Sequence, residues 1–189
     1  MRDEERPKQE VTLDHAHVSL IGEVTDVTAR DFLNDLDKAP NDETVIVEVT
    51  TVGGDAELAR RLVLDINVRR KSFKRIVFVG KTQVYSAGVT IMSAFPKADR
   101  YLSRDASMLI HCRQLDQTVE ISGPMRSSLP KVKALVEQIE TALKLEEANF
   151  RELIEGSDIS IDELLQKAPF NWYLSAEEAH RRGLVHALL

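Results

Sequence analysis

Ser86 opens the segment Ser86-Ala87-Gly88-Val89-Thr90-Ile91-Met92, an apolar run that follows the strand-like Ile76-Val77-Phe78-Val79. Small residues after a serine let a chain turn sharply from strand into helix. The hydroxyl then stands at a helix N-terminus, among N–H groups that lack a partner within the helix and favour a developing negative charge. A plain N-cap serine would sit in the same place, accepting from the second or third N–H of the helix. A base and an oxyanion donor elsewhere decide between the two. His111 ends the apolar run Met108-Leu109-Ile110, 25 residues beyond Ser86. A ring at a strand end can swing over a neighbouring strand-to-helix elbow and act as general base. Gly53-Gly54 closes a buried strand, at the place where parallel α/β sheets hold their ligands. Residues without side chains there admit a substrate backbone and let an N–H point at its carbonyl oxygen, although a tight turn would use the same glycines. His15, His17, His180 and His186 stand near element ends with no evident partner.

The elements that would carry these residues follow an α/β rhythm. His17 to Gly22 reads as a first strand, and Thr28-Ala29-Arg30-Asp31 as a capping box that starts a helix with Phe32, Leu33 and Leu36 on one face. Val45-Ile46-Val47-Glu48-Val49 is almost continuously apolar, as expected of a parallel strand covered on both sides. Leu58, Leu62, Val63 and Ile66 give a second helical stripe before the strand at Ile76. Strand, helix, strand, helix predicts right-handed crossovers over a parallel sheet. Arg100-Tyr101-Leu102 and Ser107 to His111 read as short strands, and residues 113–128 as a polar loop. A helix is predicted from Pro130 to Glu155, ended by Gly156. At 1.5 Å per residue it is about 40 Å long, more than so small a domain covers, so part of its apolar face is expected to pack on another subunit. Ser160 and Ser175 begin two further capping boxes, and Leu184 to Leu189 closes the chain as a strand.

Composition excludes several classes. A net charge of −6 leaves no basic stripe for nucleic acid, and Arg69-Arg70-Lys71 with Lys74-Arg75 reads as a solvated helix end. The single cysteine, Cys112, rules out an intrachain disulfide and fits a reducing compartment. Residues 1–10 are too charged for a secretory signal, and no apolar run approaches the roughly 20 residues of a membrane helix. The expectation is a cytoplasmic protein without membrane, metal or cofactor, built of a disordered arm at 1–16 and one domain at 17–189.

Taken in order, these segments resemble ClpP, the proteolytic subunit family of the Clp protease. Leu20-Ile21-Gly22-Glu23-Val24-Thr25-Asp26 is similar to the family's first strand and turn, and Thr51-Val52-Gly53-Gly54 stands where it has Ser-Pro-Gly-Gly. Tyr85-Ser86-Ala87-Gly88 resembles its Ser-Met-Gly nucleophile segment, and Met108-Leu109-Ile110-His111 its Met-Ile-His. Leu174-Ser175-Ala176-Glu177-Glu178-Ala179 through Gly183-Leu184-Val185 resembles its C-terminal signature. The resemblance implies a ClpP/crotonase-like fold of repeated β-β-α units with a long protruding handle helix. It implies Ser86 as nucleophile, His111 as base, and an oxyanion hole from the N–H groups of Gly54 and Ala87, with Gly53 and Gly54 against the substrate. It implies a peptide or unfolded-protein substrate, a homo-oligomeric ring, either a heptamer or a stacked double ring, and an ATP-driven AAA+ unfoldase as partner.

Asn171 stands where the family has the aspartate of its triad. Val52 replaces the proline before the glycines, and Arg113-Gln114-Leu115 stands where the family has Gly-Gly after the histidine. The Arg-Asp pair that registers the family's rings is missing around Gln166-Lys167-Ala168-Pro169, and the stretch from His111 to Asn171 is longer. An asparagine carbonyl can fix a histidine tautomer but offers no charge to an imidazolium. Three outcomes stay open: a slow Ser-His-Asn peptidase, a triad completed by Asp158, Asp162 or Asp116, or an inactive scaffold or regulatory ring subunit. A Ser-Lys dyad through Lys131 or Lys133, and a crotonase-type acyl-CoA enzyme, are the remaining alternatives.

Overall fold

The computed structural model describes residues 15–115 and 117–189. The expected α/β order holds, with seven strands and six α-helices among them. Strand β1 (Val18–Ile21) leads to α1 (Asp26–Lys38), β2 (Thr44–Thr51), α2 (Ala56–Arg69) and β3 (Arg75–Tyr85). Helix α3 (Ala87–Ser93), β4 (Arg100–Leu102) and β5 (Ser107–Ile110) follow, then α4 (Met125–Ile154), α5 (Ile161–Lys167), β6 (Trp172–Ser175), α6 (Ala176–Arg181) and β7 (Ala187–Leu188). The sheet runs β1-β2-β3-β4-β7 in parallel, with β5 beside β3 and β6 antiparallel to β5. Leu20, Val47 and Phe78 of the sheet share one core with Phe32, Leu62 and Met92 of the helices, and Ile46, Val77, Val79 and Tyr101 form a smaller apolar cluster of their own.

Strand β3 positions the chemistry. It is longer than the apolar run at 76–79 suggested, because it continues through Lys81-Thr82-Gln83 after changing partners. Phe78 to Gly80 pair with Arg100 to Leu102, whereas Gln83 to Tyr85 pair with Ser107 to Leu109. Thr82 makes the change at φ 53, and the β2 register slips between Val49 and Thr51 beside it. Extra residues of this kind, two of them on β3, bend a strand and redirect its end. The end so redirected is the one that carries Ser86.

Three boundaries differ from expectation. Helix α1 is capped by Thr25, not Thr28: Thr28 is the third helical residue and returns the bond to the Thr25 N–H at 2.9 Å. Helix α4 begins at Met125, so Pro130 lies inside its second turn, where its missing N–H removes one helical bond near an already poorly bonded end. The last strand is only Ala187–Leu188. Ser160 and Ser175 cap α5 and α6 as predicted, accepting from Glu163 and Glu178 N–H at 3.1 and 3.2 Å.

The C-terminal third of α4 is held to the body by Arg100, only 2% exposed. Its guanidinium donates to the carbonyls of Phe95, Leu153 and Leu184 at 2.7, 2.6 and 3.2 Å, and to Glu152 at 3.3 Å. Leu153 and Glu152 belong to the last turn of α4, whose carbonyls have no partner inside the helix. Burial pulls this guanidinium down to about 10, still charged at neutral pH. The rest of α4 projects, leaving Met125, Leu129, Val132 and Val136 exposed.

Candidate active site

Ser86 links β3 to α3 at φ 53 and ψ −109, a conformation that a residue with a side chain rarely adopts. Such a strand-to-helix elbow stores on the order of 1–3 kcal/mol and lifts the side chain off the end of the sheet. The backbone holds it there: Ser86 N–H donates to the Leu109 carbonyl at 2.9 Å, and Val89 and Thr90 N–H donate to the Ser86 carbonyl. The side chain makes no cap bond to α3. Ser86 is therefore not an N-cap serine in the ordinary sense; its hydroxyl is presented and unused.

Gly53 and Gly54 meet Ser86 from β2. Both have positive φ, 115 and 138. A Cβ on Gly53 would lie 2.8 Å from Ser86 Cβ, and one on Gly54 would lie 2.4 Å from the Val24 carbonyl oxygen. Only glycine fits either place. Val24 N–H donates to the Gly53 carbonyl and Asp55 N–H to the Val24 carbonyl, which leaves the Gly54 N–H on the opposite side of the chain. Neither it nor the Ala87 N–H, the first of α3, donates to another described group. Thr51 shapes the turn, accepting from Gly53 N–H at 3.0 Å. Its methyl group fills the space that a Cβ on Gly88 would need, at 2.5 Å, so α3 lies close against β2.

His111 follows β5, whose Leu109 is paired with Tyr85, so nucleophile and base candidates leave adjacent parallel strands side by side. Across the antiparallel β5–β6 pair, Ile110 opposes Trp172. His111 and Asn171 are the next residues on each side. Asn171 is exposed and left-handed, at φ 59, a conformation asparagine tolerates. Among the described residues no hydrogen bond joins Ser86, His111 and Asn171 through their side chains; catalytic bonds of unliganded sites commonly tighten only around substrate. Burial holds the His111 imidazole below its ordinary value of 6.5, against an opposing pull from the Glu146 carboxylate.

Glu146 is the residue that sequence reasoning missed. It stands on α4, 6% exposed, and accepts a hydrogen bond from the Arg113 backbone N–H. Burial and this carboxylate push the Cys112 thiol up to about 11. Its sequence signal is a charge at a core position: Glu146, Phe150 and Leu153 are the buried residues of this part of α4, at helical spacing. Arg113 also reaches the Glu57 carboxylate at 2.6 Å, which ties the segment after His111 to the first turn of α2 and lowers Glu57 below the usual carboxylate range.

Ser86, Ala87, Gly54, His111 and Glu146 line one cleft of about 1060 Å³. Asn171 does not line it, and neither do Asp158, Asp162, Lys131 or Lys133. Asp158 accepts from Arg182 at 2.6 Å, and Asp162 is exposed in the first turn of α5. Asp116 lies outside the described residues. Of the other histidines, His17 has a partner after all: its Nδ1 accepts from Ile46 N–H at 3.1 Å, fastening β1 to the sheet. No helix of the described residues is long and apolar enough to cross a membrane.

Residues 4–189 match the model of the Clp protease family. Among solved structures, the chain is similar to an asparagine-to-aspartate mutant of ClpP1 from Listeria monocytogenes. The TM-score is 0.67 and the identity 22%, over 91% of this chain and 90% of that one, a likeness of fold. No curated protein matches the sequence.

Proposed function

The chain belongs to the Clp protease family, and from that premise we propose that it is a serine endopeptidase subunit of a ring-shaped compartmental protease. The observation that carries the proposal is the strained, uncapped Ser86 set between two undonated N–H groups and His111 in one cleft. Ser86 Oγ attacks the scissile carbonyl carbon as His111 takes its proton. The carbonyl electron pair moves onto oxygen, and the oxyanion is held by the Gly54 and Ala87 N–H groups. Collapse expels the amine, which takes the proton from His111, and leaves an ester on Ser86. Water gives a proton to His111 as it attacks the ester; collapse breaks the bond to Ser86 Oγ, which takes that proton back from His111 as the acid is released. Asn171, beside His111 at the end of the β5–β6 ladder, supplies no charge, and its carbonyl meets the imidazole only once substrate has tightened the site.

An internally quenched, unstructured peptide tests this. His111 must be neutral to accept the proton, and burial keeps it neutral to below its ordinary value. We expect kcat/KM to be level through neutral pH and to fall about tenfold per pH unit only below that value. A level rate down to acid pH, or no cleavage at any pH, counts against His111 as base.

Assembly is proposed through α4. Met125, Leu129, Val132 and Val136 recur at alternating spacings of four and three, the pattern of a helix-pairing seam, and Val136 is 47% exposed. The same helix of a second copy is its proposed occupant, joining two rings. Val132→Glu with Val136→Glu places charges in that seam. By light scattering the double variant should have about half the native mass, and an unchanged mass would place the interface elsewhere. The compartment's unfoldase partner is the AAA+ class.

A catalytically silent ring subunit is favoured by one observation, the missing side-chain bond between Asn171 and His111. It predicts no cleavage by the native chain and activity gained with Asn171→Asp.

A further inference from the structure

We propose that Glu146 is a positioning residue for His111, supplying from α4 the negative charge beside the base that Asn171 cannot supply. This rests on Ser86 and His111 forming the peptidase site. A histidine that accepts a proton from serine becomes an imidazolium, and a partly buried imidazolium needs a nearby anion. In a Ser-His-Asp site the aspartate is that anion. Here Asn171 is neutral, exposed and outside the cleft. Asp158 is occupied by Arg182 and also lies outside it.

Glu146 is inside the cleft and almost fully buried. Its position is fixed from two directions. Its helix is pinned by Arg100 at the carbonyls of Leu153 and Glu152, two turns further on. Its carboxylate accepts from the Arg113 N–H, two residues beyond His111. The carboxylate therefore cannot move along the cleft without breaking its bond to the Arg113 N–H. Desolvation makes it effective, because a charge in a low-dielectric pocket acts more strongly than one in water.

The other charged groups around His111 do not replace it. Arg113, on the same segment, is a cation and is committed to Glu57. Glu57 and Asp55, from the start of α2, are exposed; Asp55 caps α2 through the N–H groups of Glu57 and Leu58. Glu137, earlier on α4, is exposed. Cys112 stays a neutral thiol.

Arg113 bridges the two flanking helices: its backbone N–H donates to Glu146 on one side and its guanidinium to Glu57 on the other. The base is thus braced between α4 and α2 rather than by a triad aspartate.

The test reads His111 directly, without relying on catalysis. In the Ser86→Ala background, the rate of His111 carbethoxylation by diethyl pyrocarbonate is followed against pH and mapped by mass spectrometry. Glu146→Gln keeps an acceptor for the Arg113 N–H and removes only the charge. It should lower the midpoint of His111 modification by on the order of one pH unit. Glu146→Asp, which draws the charge back by one methylene, should give a smaller shift in the same direction, and it serves alone if the amide variant does not fold. With Ser86 restored, the acid limb of peptide hydrolysis should move as the modification midpoint moves, with kcat lowered about tenfold and KM unchanged. An unmoved midpoint in the folded variants overturns the role of Glu146, whatever the peptidase activity. A moved midpoint in a chain without hydrolysis upholds the role of Glu146 and rejects the peptidase instead.

Discussion

Ser86→Ala lowers peptide turnover by on the order of 10⁶, the cost of removing a serine nucleophile whose partners act as a unit, while thermal stability stays within experimental error. The second half of that expectation is as informative as the first. A capping serine replaced by alanine costs a helix about 1 kcal/mol. The Ser86 hydroxyl caps nothing and the elbow is held by backbone bonds to Leu109, Val89 and Thr90, which alanine keeps. The strain at φ 53 is unchanged, because alanine suffers it as serine does. The check is a pair of measurements on one preparation: steady-state hydrolysis of the quenched peptide and a melting curve. A loss of stability comparable to a lost cap, with hydrolysis retained, would restore Ser86 to the role of an ordinary helix start.

Asn171→Asp raises turnover, by as much as about 10⁴, the factor that separates aspartate from asparagine in a chymotrypsin-type triad. Aspartate accepts the left-handed backbone at φ 59 nearly as readily as asparagine, so the substitution has little backbone cost. The position is the residue beside His111 just beyond the last pair of the β5–β6 ladder. If Glu146 already supplies charge, the gain falls well short of that factor, and it is larger in a Glu146→Gln background than in the native one. The two carboxylates would then act on one imidazole, and their effects on kcat would not be additive. A native chain already unaffected by Asn171→Asp would mean that the ladder end does not support the base at all.

Much of the site could be read from sequence because its grammar is local. Ser86-Ala87-Gly88 and Gly53-Gly54 announce sharp strand-to-helix turns by their size alone, and the order of the segments carried the family. The structure explains each glycine by a named collision, with Ser86 for Gly53, Val24 for Gly54 and Thr51 for Gly88. What was hidden depends on contacts between distant residues. The polar Lys81-Thr82-Gln83 looked like the end of a strand, yet β3 continues through it because β5 replaces β4 as its partner. Thr25 and Thr28 are each other's capping partners, so spacing alone could not say which began α1. Glu146 was not singled out, since a charge among apolar residues shows its burial only when the opposing wall is known. Arg113 on that wall gave no sign in sequence that its backbone N–H needed an acceptor. Asp158 and Asp162 lie outside the cleft for a related reason: proximity in the chain to Asn171 does not show that Asp158 already has an arginine, or that Asp162 faces solvent in the first turn of α5.

The most direct measurement is covalent trapping of the nucleophile. A fluorophosphonate is incubated with the native chain at neutral pH, and the adduct is mapped by peptide mass spectrometry. One adduct, on Ser86, absent from Ser86→Ala and strongly slowed in His111→Ala, is the expected result. A native, folded chain that takes no label, or takes it at a serine other than Ser86, would contradict the assignment of Ser86 as a nucleophile activated by His111.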